Sequence, residues 1–329
     1  MYYITIDTGT TNTRVCAWRG LKFIGAAKRK VGVRDTSIDG SNQKIKTGIA
    51  EAYNEVLQQN GLTDNDISVI LASGMITSNL GLVEVPHLIA PANIGNFAEQ
   101  VQKHTVSEIS AKPIHFIAGL KNLAIAKPEE WEASDVMRGE EVETLAILKL
   151  LSIDSAITLV LPGSHTKFVA VDAQQKIIGC CTTLAGELTS VVTNNTILTN
   201  SLNASFASEL DNEYLLKGAS AVHSVGLTRS LFSIRVLEQT QNATQNQVAN
   251  FLLGIIAYSD MQAMLNSQAL KFDKGNKVGI YGDSLVAKAF MLVLQSYQPD
   301  VVSIAIKSSL VENLSGYGCL LVAKQAKLI

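Results

Sequence analysis

The feature that most limits what this chain can become is an internal repeat. Tyr3–Asp7 reads as a strand, Thr8–Thr13 as a Gly/Thr turn, Arg14–Trp18 as a second strand and, after a short turn, Lys22–Lys30 as a third. The same order returns as strand Ile157–Leu161, turn Pro162–Thr166, strand Lys167–Asp172, a short turn, and strand Lys176–Leu184. Gly9 aligns with Gly163, Thr10 with Ser164, Val15 with Val169, Lys22 with Lys176, Ile24 with Ile178 and Gly25 with Gly179, without a gap. A unit repeated this far apart implies two similar lobes, and 329 residues suffice for two ordinary domains. The lobes are expected at residues 1–154 and 155–329, with the boundary near Ser152–Ala156.

The remainder of each half reads as α/β layering. Ile45, Ile49, Ala52, Tyr53, Val56 and Leu57 follow a helical period and stop before Gly61, and Ile67–Ala72 is a short apolar run of strand length. Val142 to Lys149 predicts a helix running up to the boundary. In the second half, helices are expected at Val248–Met264, Leu285–Leu294 and Gly316–Ala326, and strands at Val278–Tyr281 and Val301–Ile306.

Composition excludes several classes. With 47% hydrophobic and 17% charged residues the chain is globular, and a net charge of -2 argues against a nucleic-acid partner. Cys16, Cys180, Cys181 and Cys319 show neither C-x-x-C nor zinc-ligand spacing and read as small buried hydrophobes in a reducing compartment. The N-terminus lacks a basic region before its first acid, so it does not read as a signal peptide, and no apolar run approaches the ~18 residues of a membrane span. The expectation is a cytoplasmic protein with no membrane partner; a homodimer is left open.

The chemistry concentrates in the two turns. In Asp7-Thr8-Gly9-Thr10-Thr11-Asn12-Thr13, Gly9 lets the backbone turn sharply, and successive amides in such a turn form an anion-binding concavity. Thr10, Thr11 and Asn12 add neutral donors, and Asp7 suits Mg²⁺, directly or through water. This is not a Walker loop. Pro162-Gly163-Ser164-His165-Thr166-Lys167 is the corresponding turn of the second half, with His165 as a donor and Lys167 as a point charge for a phosphate.

Paired phosphate loops on a duplicated unit resemble the actin, sugar-kinase and Hsp70 superfamily. That resemblance implies an actin-like (ribonuclease H-like) α/β fold whose active site lies in the cleft between the lobes, and ATP as the nucleotide. Val278-Gly279-Ile280-Tyr281-Gly282-Asp283 resembles its adenosine-binding turn, which places Gly282 and Asp283 near the adenine. Within the superfamily, Ala72-Ser73-Gly74-Met75, Glu84-Val85-Pro86-His87, Met137-Arg138-Gly139-Glu140-Glu141, Pro162–Lys167 and Ala185-Gly186-Glu187-Leu188 resemble the 2-dehydro-3-deoxygalactonokinase family along essentially the whole chain. His87 departs from an expected aromatic and Thr166 from serine.

The resemblance implies transfer of the γ-phosphoryl group of ATP to the 6-hydroxyl of 2-dehydro-3-deoxy-D-galactonate, a step in galactonate breakdown. A sugar-acid pocket then needs a cation and neutral donors. Arg138 is the candidate for the carboxylate, with Ser73, Gly74, Met75 and Glu141 beside it. Asp7, Glu140 and Glu187 are the catalytic candidates; the acid that orients the hydroxyl is not fixed by any motif, and Glu141 shares that candidacy. Alternatives are a kinase for another sugar or sugar acid, and an actin-like or chaperone-type ATPase without a small acceptor.

Overall fold

The computed structural model describes residues 1–123, 128–273, 275 and 277–329. The first half opens with β1 (Tyr2–Thr8), β2 (Thr13–Arg19), β3 (Lys22–Arg29), α1 (Val33–Asp39), α2 (Gln43–Gln59) and β4 (Ile67–Gly74). It continues with β5 (Leu88–Ile89), α3 (Ile94–Glu99), β6 (Gln102–His104), β7 (Ile114–Phe116), β8 (Leu120–Lys121), β9 (Val136–Met137) and α4 (Glu140–Leu150). The second half begins with β10 (Ile157–Leu161), β11 (Thr166–Val171), β12 (Ile177–Thr183), α5 (Ala185–Asn194), α6 (Thr199–Leu202), α7 (Asn212–Val225) and α8 (Leu227–Gln241). It ends with α9 (Gln245–Asn266), β13 (Lys277–Tyr281), α10 (Leu285–Tyr297), β14 (Ser303–Ile306) and α11 (Leu314–Gln325).

The repeat extends from sequence into topology. One sheet has the order β3-β2-β1-β4-β7-β6 and the other β12-β11-β10-β13-β14. In both, an antiparallel hairpin pair leads into strands that run parallel to the first, β1 to β4 and β10 to β13. Parallel pairing requires crossovers, and the helices supply them.

Strand alternation assigns each sheet two different faces. Ile4, Ile6, Val15 and Ala17 turn toward α2, whose Ile45, Ile49, Ala52, Tyr53 and Val56 form the matching stripe. Tyr3, Cys16, Trp18, Val69 and Leu71 turn the other way, into a cluster shared with α4, α11 and residues Leu159, Leu161, Val169 and Val171 of the second sheet. Val160, Phe168, Ala170 and Ile280 point away from that cluster, toward α7, α9 and α10. The layers therefore run α2, first sheet, α4 with α11, second sheet, then α7, α9 and α10.

α9 is long and apolar enough to cross a membrane by length and composition, which the sequence reading did not anticipate, and 78% of its apolar window is buried within the protein. Here it is the core helix of the second half. A third sheet, β5-β8-β9, lies between the halves. Ala92 pairs with Ile177 on β12, and Asn122 bonds Cys180 in both directions at 2.7 and 2.8 Å.

α11 packs closely on α4. A Cβ built on Gly318 would stand 2.0 Å from the carbonyl oxygen of Val142. Gly318→Ala therefore forces two backbones apart in the cluster both halves share. We expect a loss of about 1–3 kcal/mol or more, read from the urea midpoint, with both halves melting in one transition.

Candidate active site

The first loop is a turn clipped from behind. Gly9 N–H donates to the Asn12 carbonyl at 2.8 Å, and Val33 and Arg34 N–H donate to the carbonyls of Gly9 and Thr10 at 3.2 and 3.0 Å. Gly32 makes the close approach: a Cβ there would sit 2.4 Å from the Thr10 oxygen. With its carbonyls held by the start of α1, the loop leaves the amides of Thr10, Thr11 and Asn12 without acceptors among the described residues. The second loop is held the same way by α5. Glu187 N–H donates to Ser164 O at 3.0 Å, and a Cβ on Gly186 would lie 2.4 Å from the Gly163 oxygen. Amides arranged like this favour phosphate.

Between the loops, two glycines with positive φ bring three carboxylates together. Gly74 (φ 86) ends β4, and a Cβ there would meet Asp7 Oδ1 at 2.9 Å; Gly139 (φ 116) starts α4 beside it. Asp7 thus lies near Glu140 and Glu143, which share one face of α4 at i and i+3. Burial, reinforced by Asp7 and then Glu140, pushes the Glu143 carboxyl up to about 8. Burial raises Asp7 to about 6, with Arg14 opposing and Glu140 adding to the shift. Ser315, at the start of α11, donates to Asp7 Oδ2 at 3.4 Å.

The central cavity, of about 760 Å³, is walled by both loops and by the third sheet. Gly9, Thr10, Met75, Arg138, Glu140, Gly163, Ser164, His165 and Lys167 line it, as do Ser78, Asn79, Glu84, His87 and Glu143. Arg138 donates to Thr77 Oγ1 at 2.7 Å and Val85 O at 2.9 Å and lies 3.3 Å from His87 Nδ1. These hydrogen-bonding partners are neutral; burial lowers the guanidinium from its ordinary value, and the charges of Glu141 and Glu84 oppose that. Burial, then the charges of Arg138 and Lys121, lower His87 to about 4, which leaves it an uncharged acceptor for Arg138.

Asp7 and Asn12 face an adjoining cavity of about 790 Å³ that shares Glu143 and Tyr281 with the first. A third, apolar pocket of about 270 Å³ opens beside Gly163 and Gly186, among Thr189, Phe206, Leu253, Ile256 and Val286.

Other expected residues stand elsewhere. Thr11 is exposed at the loop tip and lines neither large cavity. Ser73 is fully buried and accepts from Cys319 Sγ at 3.2 Å, so it meets the helix behind the cleft rather than a ligand. Glu141 is also fully buried; its Oε2 accepts from Gly139 N–H at 2.7 Å, holding the start of α4, and burial lifts its carboxyl well above the usual range. Thr166 is buried beneath the loop, near Asp260. Glu187 is exposed outside the cavity and pairs with His165 Nε2 at 3.1 Å. Asp283 accepts from Ser308 N–H at 2.9 Å and from its hydroxyl, bracing the turn after β14, while Gly282 lines a small pocket on that side. Glu143 was missed, although its i+3 spacing from Glu140 was readable. The apolar pocket was missed too: α5, the segment after α6, α9 and α10 assemble it from distant parts of the chain.

The family model for 2-keto-3-deoxy-galactonokinase matches residues 7–315. The chain is 24% identical over 269 residues to the 2-dehydro-3-deoxygalactonokinase of Escherichia coli (strain K12), covering 80% of each protein. A crystal structure from Sinorhizobium meliloti described as a 2-dehydro-3-deoxygalactonokinase protein superposes with a TM-score of 0.73 at 18% identity, covering 98% of both chains. The dehydratase component A of Acidaminococcus fermentans superposes at 0.54 with 13% identity and 99% coverage of both. The fold is that of the actin-like ATPases and sugar kinases.

The Glu143 shift has a measurable sign. A carboxyl raised from 4.5 to about 8 by folding binds more protons in the native state than in the unfolded chain between those values. Its contribution to stability is therefore full below pH ~4.5 and falls as pH rises toward ~8. Glu143→Gln should flatten that decline and raise the urea midpoint at pH 8 relative to the parent protein. An unchanged pH slope would refute the assignment.

Proposed function

The chain belongs to the 2-keto-3-deoxy-galactonokinase family, and from that premise we propose that it transfers the γ-phosphoryl group of ATP to the 6-hydroxyl of 2-dehydro-3-deoxy-D-galactonate, in galactonate breakdown. The observation that carries this reading is one cavity lined by residues of both loops, by Glu140 and Glu143, and by a guanidinium hydrogen-bonded to Thr77 and Val85. A sugar acid and a nucleotide present complementary groups.

In this reading Arg138 grips the sugar acid's carboxylate, and Ser78 and Asn79 lie within the same cavity for its hydroxyls. The loop amides of residues 10–12 and 163–165 hold the phosphates, with His165 and Lys167 beside them. The adenine enters the apolar pocket next to Gly163 rather than the turn at Asp283, whose carboxylate is engaged by Ser308.

Mg²⁺ fits the carboxylate cluster. Among the described residues no three His, Cys, Asp or Glu side chains converge to cage a metal, and Mg²⁺ is ordinarily held by one or two carboxylates, waters and phosphates. Asp7, weakly bonded by Ser315 alone, would hold it, with Glu143 reaching it through water. When bound, the ion offsets negative charge on the phosphates.

Glu140 is the residue we assign to the acceptor. It lines the cavity, and its buried Oε2 has no protein partner, whereas Glu141 is sealed in the core and Glu187 lies outside. Glu140 orients the 6-hydroxyl and takes its proton as the O6–P bond forms; the bond from Pγ to the β,γ-bridging oxygen breaks, and ADP leaves with that electron pair. Positioning dominates, since phosphoryl transfer asks little covalent chemistry of the protein.

ADP release should be strongly stimulated by 2-dehydro-3-deoxy-D-galactonate, and not by its gluconate epimer or common hexoses. Slow turnover indifferent to every sugar acid would sink the reading. Glu140→Gln should lower kcat by about 10²–10⁴-fold with KM for ATP little changed. Arg138→Ala should act mainly on KM for the sugar acid; an effect confined to ATP would overturn that role.

A further inference from the structure

One wall of the central cavity is made jointly by the two halves. Asp135, just before β9, accepts from Thr182 Oγ1 on β12 at 2.9 Å, and the Ala92–Ile177 and Asn122–Cys180 pairs continue the seam. Lys167 stands in the middle of it. It lies on β11 directly after the second phosphate loop and is only 5% exposed, yet it lines the cavity. Its ammonium donates to the Val136 carbonyl at 2.8 Å and to Thr182 Oγ1.

Three details make this more than a strand-edge contact. An ammonium has three N–H donors, and these two acceptors leave one for an occupant of the cavity. Both acceptors are neutral, and the nearest carboxylate in the chain of bonds, Asp135, is reached only through the Thr182 hydroxyl. Val136 lies two residues before Arg138, so the bond from Lys167 fixes the strand that aims the guanidinium. A lysine serving only as counter-charge to a phosphate would not need a bond to the opposite half.

We propose that Lys167 couples the two substrates, because ATP on the second loop and the sugar acid on Arg138 each stabilise the same bond between Lys167 and the Val136 carbonyl. This rests on the substrate reading above. Each substrate then binds more tightly in the presence of the other, and by linkage the two factors are equal. Lys167 and Thr182 are positioning residues in this account.

The test is calorimetric titration of 2-dehydro-3-deoxy-D-galactonate into the full chain, alone and saturated with Mg²⁺ and a non-hydrolysable ATP analogue, with the reciprocal titration. In the parent protein the nucleotide should tighten acid binding by roughly 5–150-fold. In Lys167→Met that ratio should fall to about one, with acid affinity falling more in the presence of nucleotide than in its absence. Lys167→Arg, which keeps the charge, and Thr182→Val, which removes one acceptor, should give intermediate ratios, and Thr182→Val decides the matter should the lysine variants not fold. An unchanged ratio in the folded variants overturns the proposal. So does a ratio of one in the parent protein, acid affinity lost equally with and without nucleotide, or nucleotide affinity lost equally with and without acid. A parent protein that does not bind the acid at all fails the substrate reading itself, and the coupling falls with it.

Discussion

The close approach of α11 to α4, glycine against carbonyl at Gly318 and Val142, ties the layer between the two sheets to the candidate site. The two helices form the layer between the sheets, and the cluster they build draws side chains from both. Both also deliver site residues from their N-terminal ends. α4 begins with Glu140 and carries Glu143 one turn on, and Ser315 at the start of α11 reaches Asp7. A larger residue at the crossing would therefore alter the geometry around Asp7 as well as the core. Here the packing term and the site geometry are one constraint, since packed interiors transmit strain rather than absorb it.

The site is divided electrostatically into two poles. Asp7, Glu140 and Glu143 crowd at one end, with Arg14 too limited an offset to keep Asp7 and Glu143 in the ordinary carboxylate range. Arg138 and Lys167 are held at the other by neutral oxygens. Burial raises the carboxyls of Asp7 and Glu143 at the first pole and lowers the Arg138 guanidinium at the second, where Glu141 and Glu84 oppose the shift. In the proposed reading a cation with phosphates relieves the first pole and an acid relieves the second.

How much of this could be read from sequence depends on how local the signal is. The duplicated hairpins were legible because a strand, a glycine turn and a strand lie within twenty or so residues, where periodicity operates. Arg138, Glu140 and the loop glycines were named because motif and chemistry coincide, and they line the central cavity. The third sheet was not, since strands of two residues such as Leu88–Ile89 and Val136–Met137 have no period to detect. α7 and α8 were not read either: Leu215, Gly218 and Ala219 are the buried residues of α7, and Ser230 and Ile234 those of α8, stripes too thin to stand out. Ser73 and Glu141 looked like pocket residues because polarity in a motif suggests a ligand. In the fold their polar atoms serve Cys319 and the start of α4.

The seam also bears on how the cleft can move. Hinge closure of two lobes would need walls that separate on both sides. On the side of the third sheet they are joined by backbone pairing at Ala92 and Ile177, by the two-way bond of Asn122 to Cys180, and by Lys167. Opening there would strand buried donors and acceptors at a cost of about 1–3 kcal/mol each. On the opposite side, Asn12 and Lys30 line the adjoining cavity with Ser308 and Glu312, and α11 ties the halves there through Ser315 to Asp7, Cys319 to Ser73 and Gly318 against Val142. Both sides of the cleft are therefore held, and parting the halves as rigid bodies would break the bonds of the seam or the packing of α11.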